Sequence, residues 1–167
     1  MSKVLHGCLA VAMLAGVQSA QAQRATQVLS AASAQAIVDG CRKHAEAGGK
    51  SQAIAVIDAG GNPVASLRMD RVTPAVMAFA TEKATAAALW GFATADMANA
   101  VKAVPGFANA PHVVALPGGL PIFTADGKTL LGGAGASGES PDEDLACVQA
   151  GITAAGLTSQ RAGVPPR

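Results

Sequence analysis

GGLPIFTADGKTLLGGAGASG, residues 118–138, is the stretch that decides the fold. Asp126-Gly127 lies between two apolar runs and is a strong signal for a tight hairpin turn, because both residues tolerate positive φ angles. The second run contains four glycines, at positions 132, 133, 135 and 138. Glycine weakens a strand interior, so this density indicates that something approaches the backbone closely. A packed helix, a partner subunit and a flat ligand are the three candidates.

The rest of the chain alternates helical and strand patterns around this hairpin. Apolar residues spaced three to four apart predict helices over 24–47, 73–90, 94–101 and 140–156. Apolar runs bounded by turn residues predict strands over 53–57, 63–67, 112–116, 120–124 and 129–136. The order α-β-β-α-α-β-β-β-α predicts an α/β (α+β) fold, with a single five-stranded, largely antiparallel sheet flanked by helices.

Residues 1–22 have the pattern of a signal peptide. Lys3 supplies a short basic region, residues 4–17 form an apolar run too short to span a bilayer, and Ala20-Gln21-Ala22 is a typical cleavage pattern. A buried N-terminal helix is the alternative reading. We therefore expect a periplasmic or secreted protein with one domain over residues 23–157, followed by a disordered tail at 158–167.

Charge and composition exclude several classes of partner. The chain has 12 basic and 11 acidic residues, and removal of Lys3 with the leader makes it formally neutral. It has no basic stripe for nucleic acid and no second apolar run for a membrane. Four Phe, one Trp and no Tyr leave few rings for stacking on bases.

Motifs that carry catalysis or metal binding are absent from the sequence. There is no CxxC or HExxH spacing, and Ser137 lacks the strand–Ser–helix context of a nucleophile elbow. The acidic run 142–144 begins a predicted helix, where carboxylates usually cap the backbone. We predict no catalytic residue and no site for a free metal ion.

Several short motifs together resemble the GlcG/HbpS family, from about Ser51 to Gly156. They occur in the family's order and spacing: Val56-Ile57-Asp58-x-x-Gly61, Leu67-Arg68-Met69-Asp70, Glu82-Lys83-Ala84-x-x-Ala87, Gly118-Gly119-Leu120-Pro121-Ile122 and Gly132-x-x-Gly135-x-Ser137-Gly138. The resemblance implies an α/β sandwich, a homo-oligomer and binding of haem or related iron compounds. Catalysis is not implied, since members of the family have no settled activity.

The resemblance also implies a groove that binds a small ligand, with haem as the expected cofactor. The positions that match the family are Arg68, Lys83, Gly118, Gly119 and Pro121. His112 is the expected iron ligand, because haem iron is most often held by His and this residue begins a predicted strand beside the glycine-rich stretch. The alternative is that His112 only caps a strand edge. His44 has a structural explanation at a helix C-terminus.

Two other functions remain open. An enzyme or accessory protein of small organic acid metabolism could use Arg68 or Lys83 to hold a carboxylate. Lys83 could equally be a surface lysine whose aliphatic stem lies along the helix, and Arg68 a solvated charge. The third alternative is an oligomeric assembly protein without a ligand, in which the glycine-rich strand packs against its copy.

Cys41 and Cys147 are the two cysteines of the expected mature chain. In an oxidising compartment they would form a disulfide if geometry allowed. The resemblance implies that the first and last helices pack antiparallel on one sheet face, which would bring these two positions together. The alternative is a pair of small buried side chains that never meet, as free cysteines often are.

Overall fold

A computed structural model describes residues 26–165 as four helices and one four-stranded sheet. The helices are α1 (Ala31–Ala47), α2 (Pro74–Trp90), α3 (Thr94–Ala103) and α4 (Pro141–Ala154). The strands are β1 (Ala53–Asp58), β2 (Pro63–Arg68), β3 (Gly119–Phe123) and β4 (Leu130–Ser137), and Pro105–Asn109 forms a short 3-10 helix. The predicted signal peptide, residues 1–22, lies outside the described residues.

All strand pairs are antiparallel, and the order across the sheet is β2-β1-β4-β3. The Asp126-Gly127 hairpin is confirmed: it joins β3 to β4, and Gly127 has φ +72°. The long-range pairing of β1 with β4 places the two hairpins side by side, from Ala53 opposite Ser137 to Asp58 opposite Gly132. The outer strands β2 and β3 therefore lie at opposite edges of the sheet.

The prediction of five strands is wrong, because residues 112–116 form a loop. His112 has a positive φ of 55°, which does not fit an extended strand, and prolines at positions 111 and 117 flank the segment. A short apolar run alone does not distinguish a strand from a loop that is partly buried. The first helix also begins later than expected, at Ala31, where the Ser30 side chain accepts a hydrogen bond from the Ser33 amide.

The sheet separates two helical layers. On one face, α1 and α4 pack on apolar side chains of β1 and β4, including Ile54, Val56 and Ala134. On the other face, α2 covers the alternate residues of the same strands, including Ala55 and Ile57. This alternation follows from the two-residue period of a strand.

Two of the three glycines of β4, Gly133 and Gly135, face α2, whereas a Cβ on Gly132 would meet the backbone of β1 at Ile57. A Cβ atom on Gly133 would overlap the carbonyl oxygen of Ala84, and one on Gly135 would overlap that of Ala80. The partner that approaches the glycine-rich strand is therefore a helix of the same chain.

The predicted disulfide between Cys41 and Cys147 is present and joins α1 to α4. Their Cα atoms are 4.5 Å apart, and both residues are buried. Antiparallel packing of the first and last helices thus brings together two positions separated by 106 residues in the chain.

Residues 158–162 contact the sheet, where a disordered tail was expected. The amide of Phe123 donates to the carbonyl oxygen of Thr158, and the amide of Thr158 donates back to Phe123. The Ala162 amide donates to the Gly127 carbonyl at 2.9 Å. This segment covers the end of the edge strand β3.

Candidate functional site

Lys83, predicted as a groove or surface residue, is buried between α2, β4 and α4. Its side chain is 1% exposed, and its Nζ donates to Asp144 Oδ2 at 2.8 Å and to the Ala136 carbonyl at 3.0 Å. The ammonium also lies 5.0 Å from the centroid of the Phe79 ring, a cation–π distance. Its charge is therefore satisfied within the protein.

Asp144 is held in place from both sides. Its Oδ1 accepts a hydrogen bond from the Glu139 amide at 3.2 Å, while its Oδ2 contacts Lys83. Burial raises the pKa of the Asp144 carboxyl above its ordinary value, although the hydrogen bond from Lys83 opposes that shift. Glu143, one position earlier, completes the capping box with Ser140, so Asp144 is not needed as a cap. The ion pair ties α2 to α4.

Gly118 and Gly119 leave space for this pair. A Cβ on Gly118, which has φ +116°, would lie 2.7 Å from Lys83 Nζ, and one on Gly119 would lie 2.5 Å from the Lys83 carbonyl oxygen. The amide of Gly119 donates to Thr94 Oγ1 at 3.0 Å. Lys83, Gly118 and Gly119 thus lie together around a closely packed ion pair.

Arg68 lies elsewhere. It ends β2, and its guanidinium donates to the Val72 carbonyl. Since β2 and β3 are opposite edges of the sheet, Arg68 and Pro121 do not share a groove. A carboxylate held jointly by Arg68 and Lys83 finds no support in this arrangement.

His112 lies on the loop between the 3-10 helix and β3. Its side chain is 47% exposed, and Nδ1 is 3.6 Å from Glu82 Oε2 on α2. The preceding residue, Pro111, accepts a hydrogen bond from Trp90 Nε1 at 3.0 Å. With Nδ1 facing a carboxylate, Nε2 is the nitrogen available to a metal ion.

The described residues also form a groove along the outer edge of β3, which we call the β3 groove. It encloses about 740 Å³, a typical volume for a small-molecule site. Its walls come from the α2–α3 turn, α3, β3, α4 and residues 159–165. Pro121 is the predicted site residue that lines it. No local pattern could reveal it, since its walls come from five separate parts of the chain.

Three aromatic side chains line the β3 groove: Trp90, Phe92 and Phe123. Phe107 packs edge-on against Trp90 with ring centroids 5.1 Å apart, so the rings are held in place. The guanidinium of Arg161 lies 5.5 Å from the centroid of the Phe123 ring. A chain with few rings thus concentrates them at one end of this groove.

Within residues 26–165, no helix is long and apolar enough to cross a bilayer. The same residues contain no group of three or more His, Cys, Asp or Glu side chains that could hold a metal ion.

The described residues therefore form an α+β fold with a groove of small-molecule size along β3. The exposed side chain of His112 lies on the loop that precedes β3. The family model described as "Haem degrading protein HbpS-like" matches residues 29–153, and the chain belongs to this HbpS-like family. The resemblance stated from the sequence motifs is therefore confirmed. A comparison with curated proteins found no match.

Three solved structures have a fold similar to that of this chain. A crystal structure of HbpS has 26% identity and a TM-score of 0.73, covering 79% of this chain and 93% of that one. A double mutant of Streptomyces reticuli HbpS has 28% identity and a TM-score of 0.73, covering 89% and 97%. A PduOC:heme complex has 23% identity and a TM-score of 0.73, covering 81% and 100%.

Proposed function

We propose that this chain is an exported haem-binding protein and that His112 is an axial ligand of the haem iron. The observation that carries the proposal is the HbpS-like family match over residues 29–153, together with the haem bound in the similar PduOC structure. Bound haem would supply an iron centre, and the protein would supply an imidazole and an apolar surface.

The surroundings of His112 fit a porphyrin better than those of His44. Phe79 lies three positions before Glu82 on α2, so it shares the helix face that His112 contacts, and its side chain is exposed. Leu116 is a further exposed apolar residue on the same loop as His112. His44, in contrast, follows Arg42 and Lys43 on α1, where charge dominates.

A haem titration followed by the Soret band tests this assignment. We expect binding by the wild type and by the matched control His44→Ala, and at least about tenfold weaker binding by His112→Ala. Added imidazole should restore the Soret band of His112→Ala if the side chain ligates iron. An unchanged spectrum and affinity in His112→Ala would overturn the assignment, and absence of binding by the wild type would overturn haem binding itself.

The Cys41–Cys147 disulfide supports export, because structural disulfides persist in oxidising compartments. Expression in a bacterial host followed by fractionation tests the proposal. We expect a periplasmic or secreted form that begins at Gln23 and has no alkylatable thiol before reduction. An uncleaved, fully thiol-reactive chain in the cytoplasm would contradict it.

We also propose that the protein forms homo-oligomers. The outer side of α2 exposes Phe79 and Leu89, which are large apolar side chains suited to a subunit contact. Sedimentation velocity at micromolar concentration should show a species larger than one chain. A single monomeric species, unaffected by Phe79→Ser, would refute the proposal.

A further inference from the structure

We propose that the β3 groove is a second binding site, which takes a small planar organic acid and contacts its carboxylate through Arg161. This inference goes beyond haem binding at His112 and stands independently of it. The lining of the β3 groove contains no His, Met, Cys or Tyr side chain that could ligate haem iron. Its chemistry therefore indicates a different ligand.

The rings indicate the shape of the ligand. Of the five aromatic residues in the chain, Trp90, Phe92 and Phe123 line the groove, and Phe107 supports Trp90 from behind. The centroids of Trp90 and Phe92 are 6.3 Å apart in an edge-to-face arrangement. Ring faces and edges arranged in this way favour a flat, apolar molecule.

Arg161 indicates the charge of the ligand. Throughout residues 26–165, no carboxylate lies within ion-pair distance of this guanidinium, whose neighbours are the Phe123 ring and the Gly91 backbone. A side chain on Gly91 would crowd it, since a Cβ there would lie 3.2 Å from Arg161 Nη2. A guanidinium stacked on a ring keeps its outer N–H groups free for bidentate contact with a carboxylate.

Two acidic residues, Asp96 and Asp142, also line the groove. They lie in the first turns of α3 and α4, where each offsets the positive end of a helix dipole. The Thr94–Gly119 hydrogen bond places the start of α3 at the beginning of β3, whereas Arg161 lies over its last residue, Phe123. Five strand residues separate these ends by roughly 13 Å, so an anionic group is favoured at the Arg161 end.

Trp90 makes the site directly observable, because it is the single tryptophan of the chain and lines the groove. The experiment measures Trp90 fluorescence on the folded protein during titration with benzoate, with benzyl alcohol as the neutral probe and benzylammonium as the cationic one. We expect saturable quenching by benzoate, and binding at least about tenfold weaker for the other two probes.

Variants then locate the carboxylate contact. Arg161→Gln should weaken benzoate binding at least about tenfold, and Arg161→Lys should retain part of it. Lys102→Gln is the matched control, since Lys102 is an exposed cation on α3 that does not line the groove. His112→Ala should bind benzoate as the wild type does, which separates this site from the haem proposal.

Equal affinity for benzoate and benzylammonium would overturn the inference. So would unchanged benzoate affinity in Arg161→Gln with retained circular dichroism, or loss of benzoate binding in His112→Ala. Absence of saturable quenching by benzoate would also overturn it, whatever the result of the haem titration.

Discussion

On the face of the sheet that packs against α2, β4 contributes Gly133 and Gly135, whereas on the face under α1 and α4 it contributes Ala134 and Ala136. On the first of these faces, which we call the glycine face, the backbones of β4 and α2 are too close to admit a side chain at either glycine. The other face is filled by branched side chains, among them Ile37, Ile54, Val148 and Ile152, and is cross-linked by the disulfide.

The difference shows two ways of fixing the position of a helix. On the glycine face, α2 lies where an added atom on β4 would collide with the helix backbone, and the buried Lys83–Asp144 pair holds α2 near its middle. On the side-chain face, volume and a covalent bond determine the position. Substitutions that add atoms should therefore damage the first face, and removal of the cross-link should damage the second.

The largest effect is expected for Lys83→Met, which leaves the Asp144 carboxylate buried without its partner. Removal of one member of a buried ion pair usually costs about 3–5 kcal/mol of the free energy of unfolding. Urea denaturation measures this loss. The double variant Lys83→Met/Asp144→Leu is the control and should recover most of the stability. If the single variant unfolds like the wild type, the ion pair does not secure the glycine face.

Replacement of Cys41 and Cys147 by alanine, on the opposite face of the sheet, should cause the next largest loss in the free energy of unfolding. The bond closes a loop between residues 106 positions apart, and loss of such a bond typically costs about 2–5 kcal/mol. Denaturation with and without a reductant measures it. The reductant should destabilise the wild type and leave the double alanine variant unchanged; equal stability of the two proteins without reductant would contradict the prediction.

Gly135→Ala tests the close contact on the glycine face. Its Cβ would overlap the Ala80 carbonyl oxygen, so we expect a loss of about 1–3 kcal/mol or more from overpacking. The matched control is Gly106→Ala, because a Cβ on Gly106 would meet nothing within 4 Å. That control should change stability by no more than about 0.5 kcal/mol. An equally small loss of stability in the two variants would show that α2 can shift to accommodate the added methyl group.

The smallest loss of stability is expected from a substitution of Asp58, which ends the central strand β1. Its Oδ1 accepts hydrogen bonds from the Gly60 and Asn62 amides, both at 2.8 Å. The hydrogen bond from the Asn62 backbone, followed by those from its side chain and neighbouring amides, lowers the pKa of the Asp58 carboxyl, although partial burial opposes this. A lowered pKa contributes stability above the ordinary carboxyl pKa of about 4 and loses it as the pH falls through the folded-state value.

We therefore expect Asp58→Ala to be less stable than the wild type at pH 7, by about 1 kcal/mol or less. The difference should shrink as the pH falls below about 4. Thermal unfolding of both proteins from pH 7 to pH 2.5 measures this. A difference that stays constant over that range would show that the Asp58 charge has no part in the turn.

Much of the fold could be predicted because its signals are local. The Asp126-Gly127 turn, the Ser140 capping box and the Thr73-Pro74 helix start each depend on residues within four positions of one another. The run at 113–116 was misleading because apolar content does not specify a partner strand. At its Phe123 end, the edge strand β3 pairs instead with Thr158, in the segment 158–162.

The site was less predictable because its residues meet only in three dimensions. Nothing near Lys83 in sequence indicates that it pairs with Asp144, and the position of the acidic run at 142–144 favoured helix capping. Arg161 fell in a segment interpreted as a tail. The disulfide could be anticipated because its two ends lie in helices whose packing the family resemblance implied.

The Cys41–Cys147 bond also has a topological consequence. All four strands, together with α2 and α3, lie within the covalent ring that it closes, whereas most of α1 and the second half of α4 lie outside it. Residues 104–112 form a mostly exposed part of that ring. A protease that cuts the backbone once there would open the ring without releasing a fragment, because the two pieces remain joined through sulfur. The nicked molecule would keep its full mass until a reductant separated the halves.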